Sequence, residues 1–170
     1  DEVHYYDDKT WADGADALPG DGLCDDGAGT CTLRAAIMEA NALAGADEIL
    51  VPAGIYTLSI VGAGEDEGAT GDLDITDDVT ILGAGPEVTI IDAAGVDRVL
   101  HIHGNATLVR IAGVTVQRGL TENESGDGLG GVTAGGGLLN EGDLTLDRVA
   151  VQANSAKWGG GIANVAGASL

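Results

Sequence analysis

Apolar positions along the chain fall into two regimes. Over residues 32–45, Leu33, Ile37, Ala40 and Ala44 recur at i, i+4, i+7 and i+11, the spacing of one helix face, with Thr32 placed to cap the start and Gly45 to close the end. From Asp47 onward the period shortens to two, in brief runs broken by glycine. Val109-x-Ile111 and Val114-x-Val116 are joined by Ala112-Gly113, and Leu144-x-Leu146 and Val149-x-Val151 by Asp147-Arg148. Both patterns predict short strands meeting at a corner. Residues 1–31 sustain neither period and contain the turn-rich run Gly20-Asp21-Gly22, which predicts an irregular, extended leading segment.

The strand-like runs also repeat. Val79-x-Ile81, Val114-x-Val116 and Val149-x-Val151 stand 35 residues apart at each step, and Gln117 and Gln152 follow the last two in register. Gly135-Gly136-Gly137-Leu138-Leu139-Asn140 returns 24 residues later as Gly159-Gly160-Gly161-Ile162-Ala163-Asn164, and at that offset Leu144-Thr145-Leu146 maps onto Ala168-Ser169-Leu170. The Gly- and acid-rich stretch Thr121–Gly130 reads as a loop inserted into a basic unit of about 24 residues. A unit of two or three short strands cannot bury its inner face alone. Stacking such units closes an aliphatic column, a parallel β-solenoid, and four or five coils spaced at ~4.8 Å give a length of roughly 20 to 25 Å. The chain thus divides into residues 1–45, the leading segment and a capping helix, and residues 46–170, the coils. Leu170 falls at the position of Leu146, inside a strand, so the column is expected to be incomplete there and to offer an edge for self-association or a partner chain. Asn140 and Asn164 fall at equivalent corners, where Asn tolerates left-handed backbone and each amide can bond the next in a structural ladder.

Composition supports an all-β reading. Glycine supplies 29 of 170 residues, Phe is absent and Trp and Tyr together number five, yet 44% of residues are hydrophobic, so the core is aliphatic. The 28 acidic against 7 basic residues give a net charge of -21, which excludes nucleic acid as a partner. No run reaches the roughly 18 apolar residues of a membrane helix, so no membrane insertion is expected, and Asp1–Asp8 lack the features of a signal peptide, as in a mature soluble chain. Cys24 and Cys31 bound Cys-Asp-Asp-Gly-Ala-Gly-Thr-Cys with no third or fourth soft ligand nearby. The pair reads more readily as a local disulfide than as a metal site, and a disulfide implies an oxidising compartment: secreted, cell-surface or periplasmic.

Candidate chemistry is sparse. The acidity of the leading segment is either a solvated face or a Ca²⁺ site drawn from Asp13, Asp16, Asp21, Asp25 and Asp26, with Asp21, Asp25 and Asp26 the best-placed metal ligands, although their spacing is not that of an EF-hand. Catalytic carboxylates on a column would converge from neighbouring coils. At the 35-residue offset Asp77, Ala112 and Asp147 are equivalent, so no acidic ladder persists and no catalytic residue is assigned. Asp147 with Arg148 reads as an exposed corner. His101 and His103 alternate onto one face, about 7 Å apart. They offer a shared metal or an acid–base pair, but Leu100 and Ile102 already supply the core face and the only other histidine is His4, so an exposed pair without a role is expected. Trp158 stands on a turn where a glycan or partner can stack, and Asn105-Ala-Thr107 and Asn123-Glu-Ser125 match the glycosylation sequon.

Cys31-Thr32-Leu33-Arg34-Ala35-Ala36-Ile37, followed by Ala40-Asn41, resembles the Cys-Ser-Leu-Arg-Glu-Ala-Ile signature of the CSLREA-domain family. Pro52-Ala53-Gly54-x-Tyr56 and the Gly-Gly-Gly-x-x-Asn repeats followed by Leu-Thr-Leu extend the likeness over about residues 20 to 170. The resemblance implies a right-handed parallel β-helix behind a helix built on Leu33, Arg34 and Ile37, in a secreted or surface-attached protein of prokaryotic source. Ala35 replaces the signature's Glu, which removes any cap or salt bridge that Glu makes in relatives. The function expected is a non-enzymatic extracellular structural or adhesive protein. The alternative is a carbohydrate-active β-helix such as a Ca²⁺-dependent polysaccharide lyase or a glycoside hydrolase.

Overall fold

The Thr32 hydroxyl accepts the Ala35 N–H at 3.0 Å and its carbonyl accepts the Ala36 N–H at 2.9 Å, which starts helix α1, Leu33–Ala42. The helix ends earlier than predicted. Leu43 returns its N–H to Glu39 in an extended conformation, Ala44 is exposed, and Gly45 (φ +123°) belongs to the following turn. The apolar residues it packs into the core are therefore Leu33, Ala36, Ile37 and Ala40, with Ala35 also withdrawn from solvent.

A computed structural model describes residues 3–4, 11–62, 64–106, 108–121 and 133–170. Strand β1 is Val3–His4. Four successive stretches of chain then each contribute one strand to each of three sheets: Asp47–Val51 (β2), Gly54–Thr57 (β3) and Leu73–Ile75 (β4); Val79–Gly83 (β5), Thr89–Asp92 (β6) and Leu100–Ile102 (β7). The third stretch gives Val109–Ala112 (β8), Thr115–Gln117 (β9), the short Leu120–Thr121 (β10) and Leu138–Asn140 (β11). The fourth gives Leu144–Asp147 (β12), Ala150–Gln152 (β13), Ser155–Ala156 (β14) and Ile162–Asn164 (β15). The first sheet runs β1-β2-β5-β8-β12, the second β3-β6-β9-β13 and the third β4-β7-β11-β15, with β10 and β14 pairing separately. Every strand pair described is parallel.

Register aligns like with like across neighbouring strands. Ile49, Ile81, Ile111 and Leu146 form one ladder. Tyr56, Ile91, Val116 and Val151 form a second, and Leu73, Leu100, Leu138 and Ile162 a third. Their buried members belong to one core, which α1 joins by packing on β2 and β4 through Leu33, Ala36, Ile37 and Ala40. Because side chains alternate along each strand, intervening residues such as Thr80, Arg110 and Thr145 point away from that core.

Several expected equivalences change. The 35-residue step holds from β9 to β13, where Val116 meets Val151 and Gln117 meets Gln152, but Val79 pairs with Val109 rather than Val114. Ala112 accordingly aligns with Leu82 and Asp147, not with Asp77. The cause is loop length: the chain between β5 and β8 is shorter than that between β8 and β12. The 24-residue step holds from β11 to β15, but Asp143 rather than Thr145 bridges to Ser169, which shifts Leu170 by two residues from its expected place. Asn140 and Asn164 continue the Ile75–Ile102 row of the third sheet as strand residues, without the left-handed backbone expected of them. Their amides do bond, Nδ2 of Asn140 to Oδ1 of Asn164 at 2.6 Å. Beyond Thr121, the insert expected over Thr121–Gly130 lies outside the described residues.

Candidate metal centre

Val3–His4 depart from the irregular leading segment expected by forming β1, whereas residues 11–31 carry no helix or strand and their carboxylates build the turns. Cys24 and Cys31 form the disulfide, with Cα atoms 4.9 Å apart. Asp21 accepts the Leu23 N–H, Asp25 those of Gly27 and Gly29, and Asp26 those of Ala28 and Thr30, all between 2.8 and 3.1 Å. Asp16 accepts from Leu18 and Asp25. These side chains serve backbone amides of their own loops. Among the described residues, Asp21, Asp25 and Asp26 are not brought together as a group of metal-ligand side chains.

The helix and the leading segment are tied to the sheets by two buried side chains. Arg34 directs Nε and Nη2 at Asp13 and bonds the carbonyls of Gly68, Gly71 and Asp72 at 2.7 to 2.9 Å. Asp13 Oδ2 in turn accepts the N–H groups of Ser59 and Ile60 at 2.6 and 2.9 Å. Glu39 accepts the N–H groups of Gly20 and Gly22, both at 2.5 Å, which holds the leading segment along the helix. Neither the Asp13–Arg34 pair nor the role of Glu39 is visible in the sequence pattern.

Arg34 thereby pins the chain between β3 and β4, and that loop folds over the outer face of the third sheet. There Asp74 of β4 and His101 of β7 are register partners, both facing away from the aliphatic core. Gly68 of the loop donates its N–H to Asp74 Oδ2 at 3.0 Å. Asp74 Oδ1 lies 2.9 Å from Nε2 of His103 and 3.4 Å from Nδ1 of His101. The two imidazole rings are 3.9 Å apart, centroid to centroid, and tilted by 33°. The expectation of one shared face holds, but not that of an exposed pair about 7 Å apart: the loop covers them and a common carboxylate draws the rings together. His101 is only 4% exposed.

Asp66, exposed on the same loop, completes a group in which one ligand atom each from Asp66, Asp74, His101 and His103 lies within 4.8 Å of all the others. Glu141 borders it, with Oε2 3.9 Å from Nε2 of His101. Burial acts to raise the Asp74 carboxyl, but hydrogen bonds and charge from the two imidazoles outweigh it and hold the group below its ordinary value. For His103, burial acts downward, while Asp74, then the charges of Asp66 and Glu141, carry it above the ordinary imidazole value. Asp72, behind Asp74, is buried, and desolvation with the Asp74 charge drives its carboxyl well up against the opposing charge of Arg98, 3.3 Å away.

The other predicted positions remain apart. Arg148 is exposed and 3.8 Å from Asp147, which pairs more closely with Arg110 at 2.7 Å. Trp158 is 59% exposed beside the Lys157 ammonium, 5.9 Å from its ring centroid. Asn105 bonds the Thr76 carbonyl. The side chain of His4, Thr107 and the sequon at Asn123 lie outside the described residues. The sequence signal for this pairing is the recurrence of Leu73-Asp74-Ile75 as Leu100-His101-Ile102, which sets Asp74 against His101. Compared with known proteins, the chain matches no family model, no curated protein and no solved structure.

Proposed function

We propose that this chain is a non-enzymatic extracellular structural or adhesive protein, wound as a right-handed parallel β-helix. The observation that carries the reading is the repeated delivery of one strand to each of three parallel sheets around a shared aliphatic core. Parallel strands joined by crossovers in one sheet are overwhelmingly right-handed, which favours that hand. The disulfide is compatible with an oxidising, extracellular setting, and among the described residues no helix is long and apolar enough to cross a membrane. The likeness of residues 31–37 to the CSLREA signature supports the same reading, with Arg34 as the residue through which the helix holds the sheets.

On this reading the corners and loops make the contacts. Trp158 offers an exposed ring face to a glycan, and the outer strands of the last turn offer backbone for a further coil or a second chain. Incubating the protein with neutral and uronic-acid polysaccharides, with and without CaCl₂, tests the proposal. Retention on a glycan, or no interaction, without new reducing or unsaturated ends is the expected result. Time-dependent chain cleavage would overturn it in favour of a lyase or hydrolase.

A further inference from the structure

The Asp66–Asp74–His101–His103 group lies on the wall of the sheets, and nothing in a structural role for the column requires it. Asp74, His101 and His103 converge on a single carboxylate oxygen at 2.9 and 3.4 Å, close to the spacing of about 3.4 Å between donor atoms around a tetrahedral ion. The group is more than a single ion pair, since one ligand atom of Asp66 and one of the second imidazole lie within the same 4.8 Å. His101 directs Nδ1 at the shared Asp74 oxygen, while its other nitrogen, Nε2, faces the Glu141 carboxylate at 3.9 Å. Asp66 is exposed and His103 only partly buried, so the group opens to solvent on that side.

We propose that Asp66, Asp74, His101 and His103 form a binding site for a divalent transition-metal ion of the zinc type. Two imidazoles with two carboxylates are the donors such ions take, whereas Ca²⁺ requires six to eight oxygens and gains little from imidazole nitrogen. Neighbouring groups already hold these donors in place. Gly68 N–H holds the second oxygen of Asp74, and Arg34 fixes the loop carrying Gly68 and Asp66 by bonding three of its carbonyls. Because Asp66 is exposed, the ion keeps a side open to water, and the seat is built on adjacent strands of one sheet plus a single pinned loop.

The test is calorimetric titration of the folded protein with ZnCl₂, repeated with CaCl₂. The variants are Asp66→Asn, whose side chain is exposed, and His103→Gln; a third, Asp21→Asn/Asp25→Asn/Asp26→Asn, removes the carboxylates of the leading segment. One zinc per chain is expected, weakened about 10- to 100-fold by either single substitution, unchanged in the triple variant and not matched by Ca²⁺. Co²⁺ substituted for zinc should show visible absorption that His103→Gln alters while far-ultraviolet dichroism stays the same. No saturable uptake overturns the proposal, as does uptake equal in the wild type and in Asp66→Asn/His103→Gln, or uptake lost only in the triple variant. None of these outcomes depends on whether the column is adhesive or enzymatic.

Discussion

Arg34 and Asp13 meet with Nε 2.7 Å from Oδ1, both side chains withdrawn from solvent, and every N–H of the guanidinium is occupied by Asp13 or by a carbonyl of residues 68–72. One side chain of α1 therefore joins three segments: the leading segment, the helix and the loop over the third sheet. Replacing Arg34 with Met leaves Asp13 with the Ser59 and Ile60 N–H groups but no counter-charge, and three carbonyls without the guanidinium donor. The expected cost is about 3–5 kcal/mol, typical of breaking one side of a buried pair, measured by urea unfolding. Arg34→Lys keeps the charge but not the fork and should recover only part of it. A loss below about 1 kcal/mol for Arg34→Met would show that the pair does not hold these segments.

The ladder Ile49–Ile81–Ile111–Leu146 predicts a sharp contrast along neighbouring strands. Ile111→Ala, at a fully buried position, should cost about 2–5 kcal/mol, whereas Thr145→Ala on the exposed face of β12 should stay within about 0.5 kcal/mol. Equal effects in equilibrium unfolding would mean that the register is misplaced.

Asp92 gives a pH dependence of defined sign. Burial acts to raise its carboxyl, but hydrogen bonds from Arg118, Gln117 and the Ala94 N–H prevail, and the group sits below its ordinary value. A carboxylate with a depressed folded-state pKa adds stability that is present above the unfolded value near ~3.9 and is lost as pH falls through the folded value. Asp92→Asn should lower the urea midpoint near neutral pH. The variant and the wild type should draw together on acidification. A gap constant with pH would place the effect elsewhere.

Closure of the Cys24–Cys31 loop is worth about 2.5 kcal/mol in the chain-entropy model. Reduction and alkylation should lower stability by an amount of that order. Thiols that alkylate freely in the native, unreduced protein would contradict the bond itself.

Much of the fold is legible in the sequence because local rules act alone at those points. Thr32 caps the helix it precedes, and the triple-glycine repeats bring Leu138 onto Ile162 after an uninterrupted 24 residues. Legibility fails where a loop length intervenes. Matching Val79 to Val114 at 35 residues joined strands of different sheets, since period-two patterns are alike in all three and only the loops decide which strands meet. The same shift hid the centre. Asp74 and His101 become neighbours only at a 27-residue offset, and Asp66 arrives on an aperiodic loop whose position depends on Arg34, a residue that sequence periodicity places on a helix with no partner named.

The proposed right-handed winding and the proposed metal site are each tested by a crystal structure of the protein grown with ZnCl₂, with diffraction recorded on both sides of the zinc edge. The predicted result is a right-handed path through three parallel sheets, Asp74 opposite His101, and one anomalous peak bonded to Asp66, Asp74, His101 and His103. A left-handed or antiparallel path, another residue opposite His101, or zinc bound elsewhere with this group empty would contradict it.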